Sequence, residues 1–420
     1  MTPPVRRPRR PRRPLTAGDL AAVPPHVRPL VAAQLTRRGV LRGAGVLGVG
    51  GLLAACGTGS GTEGTSTAGT LTPAQDRSDT EKVVNWANWT LYLDQSEDGQ
   101  SYPTLEAFTE QTGIEVTYSE DIDGNDSYYG KIQGQLANGQ DIGQDIVTFT
   151  DWMAARMIRQ GYTQELDEAN VPNKKNILPN LADVDFDPGR RHSLTWQSGF
   201  AGLAWNTEKV PEMRSVEDLW RPELRGRVEV LDEMRDTMGL IMMSQGVDIS
   251  GDWGEDEFAA ALAVLEEQIA SGQIRQVRGN SYKEDLISED ALAVIGWSGD
   301  ITQINFENGD KWAFALPESG GTLWSDNLLV PIGSPHKKNA ETLMNYYYDP
   351  EVAAQVAAWV NYISPVQGAR EAMEAIDPEL VDDPLIFPTD EYLQNVQVFR
   401  SLEPAEEQQF NADFQAVIGN

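Results

Sequence analysis

From Lys82 onward, short β-branched runs alternate with segments of helical period, and that alternation restricts the chain to βαβ units around a sheet covered on both faces. Lys82-Val83-Val84 opens as a strand. Residues 104–111 read as helix, 114–118 as extended, 126–138 as helix with Asp126 as its cap, and 145–148 as extended again. Further on, Phe258, Leu262, Leu265 and Ile269 recur at helical spacing, with Gly272 as a stop. Asp349-Pro350 opens another helix, proline in its first turn, that runs to about Asn361. With 420 residues and 40% hydrophobic content, two ordinary cores fit more comfortably than one large one. The expected fold class is α/β with two lobes.

The N-terminal part does not share this pattern. Residues 1–42 carry ten arginines against the single acid Asp19, with prolines among them and no periodic apolar face. Thr36-Arg37-Arg38-Gly39-Val40-Leu41-Arg42 resembles a twin-arginine export consensus, and the uncharged run from Gly43 to Ala55 is too short to span a bilayer as a mature helix. Leu53-Ala54-Ala55-Cys56 resembles a lipobox, whose cysteine is acylated before cleavage. A nucleic-acid arm or a disordered basic tail is the alternative, but neither requires the apolar run and the cysteine behind the arginines. Residues 1–55 are thus expected to be a signal peptide, and 56–80 a lipidated cysteine with a Gly/Thr/Ser-rich flexible linker.

Cys56 is the only cysteine, so an exported domain has no internal disulfide to draw on and must rely on burial. Cleavage after residue 55 removes ten of 33 basic and one of 64 acidic residues, leaving 23 and 63, a formal charge of −40. That balance argues against nucleic acid or an anionic membrane face and is compatible with cationic partners, although an acidic surface also serves solubility alone.

Signs of catalysis are sparse. His192 and His336 are the histidines left after cleavage, neither at metal-ligand spacing from another ligand type, and no G-x-S-x-G motif is present. His336, in Ser334-Pro335-His336-Lys337-Lys338, reads as part of an exposed turn. No metal or cofactor is implied. A carboxylate pair of the kind glycosidases use stays open, because acids are plentiful and none is singled out.

Aromatic residues beside short polar or acidic ones recur where strands end, the position at which open α/β sheets place ligand residues. Asn88-Trp89-Thr90-Leu91-Tyr92 follows the first strand, and Thr150-Asp151-Trp152 follows the strand at 145–148. Glu233-Met234-Arg235-Asp236 follows a strand at 228–231, where Asp236 could equally cap a helix from Thr237. Gly296-Trp297-Ser298-Gly299 ends an apolar run, and Trp324-Ser325-Asp326 lies between a Gly-Gly turn and a strand at 328–331.

These motifs resemble the spermidine/putrescine-binding proteins of ATP-driven polyamine importers. The likeness runs from about Lys82 to Asn420. It rests on Asn88-Trp89-Thr90-x-Tyr92, on Asp145-Ile146-Val147 with Met157 and Gly161, and on Asp218-Leu219-Trp220-x-Pro222-Glu223-Leu224-x-Gly226. Glu318-x-Gly320-Gly321-x-x-Trp324-x-Asp326 and Tyr362-x-x-Pro365 complete it. The resemblance implies a two-lobed periplasmic-binding-protein fold: lobe 1 from 81–201 plus 325–367, lobe 2 from 202–324 plus 368–420, with crossings near Ala201, Trp324 and Gln367. It implies aromatic walls from Trp89, Tyr92, Trp152, Trp297, Trp324 and Tyr362, polar contacts from Thr90, Thr150 and Ser281, and ammonium-holding acids at Glu233, Asp236 and Asp326. Trp152, Glu233 and Asp236 replace the tyrosine, aspartate and glutamate of the spermidine-preferring relative. The family's C-terminal glutamine matches either Gln394 or Gln397.

The chemistry agrees with that likeness. A polyamine alternates ammonium groups with methylenes, which calls for carboxylates at intervals and flat apolar walls between them. Arg235 is expected to pair structurally with a neighbouring acid. The implied partners are a polyamine, the permease of an ABC importer, and the membrane through a lipid on Cys56, for a monomer with no enzymatic role. A binder of another organic cation or of a sugar, and an exported carboxylate hydrolase, are the competing readings.

Overall fold

The first alternating set comprises β1 (Val83–Trp89), α1 (Pro103–Thr112), β2 (Glu115–Ile122), α2 (Asn125–Leu136), β3 (Ile146–Thr150) and α3 (Asp151–Arg159). β1 lies parallel to both β2 and β3. Pro103 stands in the first turn of α1, and Gly113 ends the helix at φ 70°, in the left-handed region that glycine occupies without penalty. The computed structural model describes residues 71–96 and 99–419. The twin-arginine segment, Cys56 and the linker up to residue 70 lie outside the described residues.

A long strand, β4 (Ser193–Asn206), is buried along its whole length and leads into a second set. That set runs β5 (Val228–Leu231), α4 (Met234–Ser244), α5 (Glu255–Ala270), β6 (Ile274–Arg278), α6 (Tyr282–Ile287), β7 (Ala293–Trp297) and α7 (Ser298–Asn308). Here β5 lies parallel to β6 and β7. Then follow β8 (Trp312–Ala315), β9 (Gly321–Leu329), α8 (Lys337–Tyr347), α9 (Pro350–Val360), α10 (Ala369–Ile376), α11 (Asp390–Leu393), β10 (Val396–Gln397) and α12 (Pro404–Ile418).

The strand order β2-β1-β3-β9-β4-β7-β5-β6 puts the two parallel sets at opposite ends, with β9 and β4 between them. β9 runs antiparallel to β3, and β4 antiparallel to β7 and to β9. Both central strands serve both sets. Ser193 of β4 faces Leu329 of β9 on the β3 side, whereas Ala201 faces Trp297 of β7 and Thr322 of β9. The register of β4 against β9 slips between Thr195 and Ser198, the kind of local bend at which a strand is re-aimed.

Packing follows from the pattern. In α5, Phe258, Ala261 and Leu265 are buried, and Phe258 stacks on Phe410 of α12 with centroids 4.3 Å apart. Under the first set, Trp86 meets the edge or face of Trp196 at 5.0 Å and Tyr347 at 5.6 Å. Such pairs add about 0.5–1.5 kcal/mol each beyond their buried area. The Asp349 side chain accepts the Glu351 N–H at 3.0 Å, so α9 begins as expected, and Asn361 ends it at φ 57°.

Four expectations need correction. Gly124, not Asp126, precedes α2; Asp126 lies in the first turn and the Asn125 side chain turns toward the centre of the molecule. Residues 71–80, expected in the linker, are fastened to the body. The Ala74 N–H donates to the Ile332 carbonyl (3.0 Å), the Arg77 N–H to the Pro335 carbonyl (2.7 Å), and Ser78 is buried. His336 is not on an exposed turn: it is buried between Asp145, 3.1 Å from Nδ1, and Glu81, 2.8 Å from Nε2. Trp324 lies inside β9 rather than before the strand.

Candidate binding site

The pocket forms where strand ends from both parallel sets meet across β9 and β4. After β1 the chain reverses through Leu91, whose φ of 59° is uncommon for a branched residue and costs on the order of 1–2 kcal/mol. The Leu91 N–H donates to Glu120 at 3.0 Å, which holds the turn. As a result Trp89, Thr90 and Tyr92 all line one cavity.

Its aromatic wall is a chain of tilted and edge-to-face rings. Trp89 and Trp297 are 6.4 Å apart, Trp297 and Trp324 6.4 Å, Trp324 and Tyr362 5.3 Å, and Tyr362 and Tyr92 5.4 Å. Two glycines make room for it. A Cβ on Gly199 would come within 2.6 Å of Trp324 and 2.7 Å of Tyr362, and one on Gly299 within 2.7 Å of Tyr362.

Five carboxylates face the same space: Asp232, Glu233, Asp236, Asp300 and Asp326. Asp326 in β9 accepts the Thr150 hydroxyl at 2.8 Å, and Asn125 in turn donates to that hydroxyl at 2.9 Å. Asp236 accepts the indole N–H of Trp297 at 2.8 Å and the Thr322 hydroxyl at 2.6 Å. Helix α4 starts at Met234, so Asp236 does not cap it; Glu233 does, accepting the Arg235 N–H at 3.4 Å. Asp300 accepts from Tyr282 (2.9 Å), Tyr362 (3.0 Å) and the Lys283 ammonium (3.1 Å).

Burial without enough positive charge raises four acids, Asp232, Glu233, Asp236 and Asp326. Desolvation pushes Asp326 up to about 7, with Asp151 and Asp236 adding to it against the Thr150 hydrogen bond. Glu233 rises to about 8 for the same first reason, although Arg235 and Asn125 oppose it. Asp232 is pushed to about 7 by burial and by Asp123 and Asp126. Asp236 is raised as well, again chiefly by burial. A site that holds several carboxylates away from water in this way is one whose charge a bound cation would complete.

Of the twelve residues expected in the site, ten line the cavity. Trp152 does not. Its indole N–H donates to Glu233 at 3.1 Å, and its ring lies between the Arg235 and Arg156 guanidiniums, 4.2 and 4.8 Å from the centroid. It therefore stands behind Glu233 as a support rather than as a wall. Ser281 does not line it either; it precedes α6, and its neighbour Asn280 faces the cavity instead. Arg235 sits beside an acid as expected, a guanidinium nitrogen 4.0 Å from Glu233. Gln397 accepts the Ile249 N–H at 2.8 Å, and neither it nor Gln394 lines the cavity.

Sequence reasoning missed Gly124, Asn125, Asp232, Asn280 and Asp300. Asp300 carried a usable signal, since it lies one turn of helix beyond Trp297 and so on the same side of the strand end. Gly124 and Asn125 follow the end of β2, another strand terminus.

Residues 103–389 match the family of bacterial extracellular solute-binding proteins. The spermidine/putrescine-binding periplasmic protein 1 of Haemophilus influenzae is 27% identical over 333 residues, 78% of this chain and 89% of that protein. The spermidine/putrescine-binding periplasmic protein of Escherichia coli is 27% identical over 322 residues, 76% of this chain and 86% of the relative. A solved structure described as a putative spermidine/putrescine ABC transporter from Listeria monocytogenes superposes with a TM-score of 0.69 at 25% identity, covering 80% of this chain and 99% of the other. Two parallel sheet sets joined through shared central strands, with a cavity at their meeting point, are the two-lobed α/β architecture of such proteins, and the chain belongs to the family of bacterial extracellular solute-binding proteins.

Proposed function

We propose that this chain captures polyamines of the spermidine/putrescine type outside the cytoplasm and delivers them to the permease of an ABC importer. The observation that carries this reading is the pairing of five linked aromatic rings with five carboxylates in one cavity. Methylene segments would pack on Trp89, Trp297, Trp324, Tyr362 and Tyr92, and ammonium groups would meet Asp326, Asp236 and Glu233. Each desolvated cation-to-ring contact is worth about 0.5–2 kcal/mol, and the charge-assisted hydrogen bonds are stronger still. Thr90 and Thr150 would add polar contacts, while Trp152 and Arg235 hold Glu233 in place.

The lobes of this reading are 81–201 with 325–367 and 202–324 with 368–420. The long strands β4 and β9 and the segment near Gln367 would act as the crossings about which the lobes close. Closure over the ligand would create the surface that docks on the permease. Export would follow the twin-arginine route, with a lipid on Cys56 keeping a monomeric trap on the outer face of the cytoplasmic membrane. The role is binding, not catalysis, and ligand recovered after long incubation should be chemically unchanged.

An equilibrium titration with putrescine, spermidine and a neutral disaccharide tests the reading. Saturable binding of the amines alone is expected. Binding of the sugar with no response to either amine would replace the polyamine reading with a carbohydrate one.

A further inference from the structure

The five acids of the cavity are not equivalent. Asp326 and Asp236 are held by hydroxyl and indole donors, all of them neutral. Asp300 is held by a cation that belongs to the protein. Lys283, in the first turn of α6, places its ammonium 3.1 Å from Asp300 Oδ1, and both side chains are 7% exposed. Tyr362 donates to the same oxygen and Tyr282 to the other, so the carboxylate already has three donors. A lysine side chain ends in a primary ammonium on a four-methylene arm, the same group that an alkyl polyamine would present.

We infer that Lys283 sets the ligand selectivity of this site, by occupying with its own ammonium the position at Asp300 that a further ammonium of the ligand would otherwise take. The inference rests on the polyamine reading of the cavity. Two physical consequences follow. Asp300 is thereby withdrawn from the carboxylates that can take a ligand ammonium. A fixed positive charge against the Asp300 carboxylate of the wall also opposes each ligand charge, so its penalty grows with the number of ammonium groups on the ligand. Lys283 therefore favours diamines over triamines, and uncharged ligands are indifferent to it.

The test is a calorimetric titration of the full chain with putrescine and with spermidine, for wild type, Lys283→Met, and Lys283→Met combined with Asp300→Asn. In the single variant the affinity for spermidine relative to putrescine should rise about tenfold, the value of one added charge-assisted contact. In the double variant the freed carboxylate is gone, and the ratio should fall back toward that of wild type. A single-variant ratio within about twofold of wild type, or a double variant that keeps the single variant's ratio, overturns the inference. Should Lys283→Met fail to fold, a crystal structure of the wild-type complex with spermidine decides: a ligand nitrogen within about 3.5 Å of Asp300 overturns it, and Lys283 still seated there supports it. Wild type that binds neither amine removes the polyamine reading itself, whereas binding whose ratio ignores Lys283 removes this inference alone.

Discussion

The Thr150 hydroxyl, at the end of β3, donates to Asp326 Oδ1 across 2.8 Å, and the two residues are register partners between β3 and β9. The sheet register itself thus fixes the orientation of the carboxylate, which is buried and, among the described residues, has no cation among its hydrogen-bond donors. A ligand ammonium at Asp326 would meet an acceptor already aimed and would not have to pay for ordering it.

Asp326→Asn keeps the shape and removes the charge. It should weaken spermidine and putrescine by roughly 10- to 150-fold, the equivalent of about 1.5–3 kcal/mol for a charge-assisted hydrogen bond. Isothermal titration measures this directly. Wild-type affinity in the Asp326→Asn variant would mean that the ammonium is held elsewhere.

Proton linkage gives a second prediction. Burial raises Asp326 and Asp232 to about 7 and Glu233 to about 8, above their unfolded values of about 4. An ammonium binds the ionised form, so binding expels protons, and affinity should fall as pH drops from 8 to 6, by roughly tenfold for each coupled carboxylate titrating near 7. Stability without ligand has the opposite slope. Between pH 4 and 8 the folded state holds more protons than the unfolded one at these sites, so their contribution is present at low pH and is lost as pH rises through 7 to 8. Chemical denaturation at pH 5 and pH 8 should show that loss, with a shallower slope in Asp326→Asn.

Much of the cavity was legible in the sequence because many of its lining residues sit at strand ends. Trp89, Thr150 and Trp297 each end a strand, where period-2 or continuous apolar patterning breaks off, whereas Asp326 lies inside β9. Strand β4 was not legible as a strand. Buried on both faces and interrupted by Gln197, Ser198 and Gly199, it shows neither alternation nor a pure apolar run. Asp232 and Asn280 also follow strand ends, those of β5 and β6, but nothing in their local sequence sets them apart as cavity-lining residues. Trp152 and Ser281 were misplaced for a related reason, since a strand-end position does not say which way a side chain turns.

The aromatic wall depends on two missing side chains. Gly199→Ala would put a methyl 2.6 Å from Trp324 and 2.7 Å from Tyr362, both of which line the cavity. The open space beside these rings is the cavity, so relief of the clash moves them into it. Overpacking of this kind costs about 1–3 kcal/mol of stability. Ligand affinity should fall by more than about tenfold, because the displaced rings enter the volume that the methylenes need. Thermal unfolding with and without spermidine separates the two effects: the variant should melt lower and gain less from ligand than wild type does.

His336 ties the segment before β1 to the body, and its strength should depend on pH. Burial alone would lower its pKa, but the Glu81 hydrogen bond and Asp145 outweigh that and raise it above the usual 6.5. The charged ring contacts Asp145 at 3.1 Å and Glu81 at 2.8 Å, while Asn339 ties the same stretch to the body through the Glu81 and Val83 carbonyls. Because the folded pKa is raised, the stabilisation is fully present below about 6.5 and disappears as pH rises through the folded value. His336→Ala should cost about 1–3 kcal/mol at pH 6, from the lost charge-assisted hydrogen bonds, and much less at pH 9. Urea denaturation of wild type and variant at the two pH values measures the difference, and protection of residues 71–81 from amide exchange should fall in parallel in the variant at pH 6. Equal destabilisation at both pH values would show that the ring acts by packing rather than by charge.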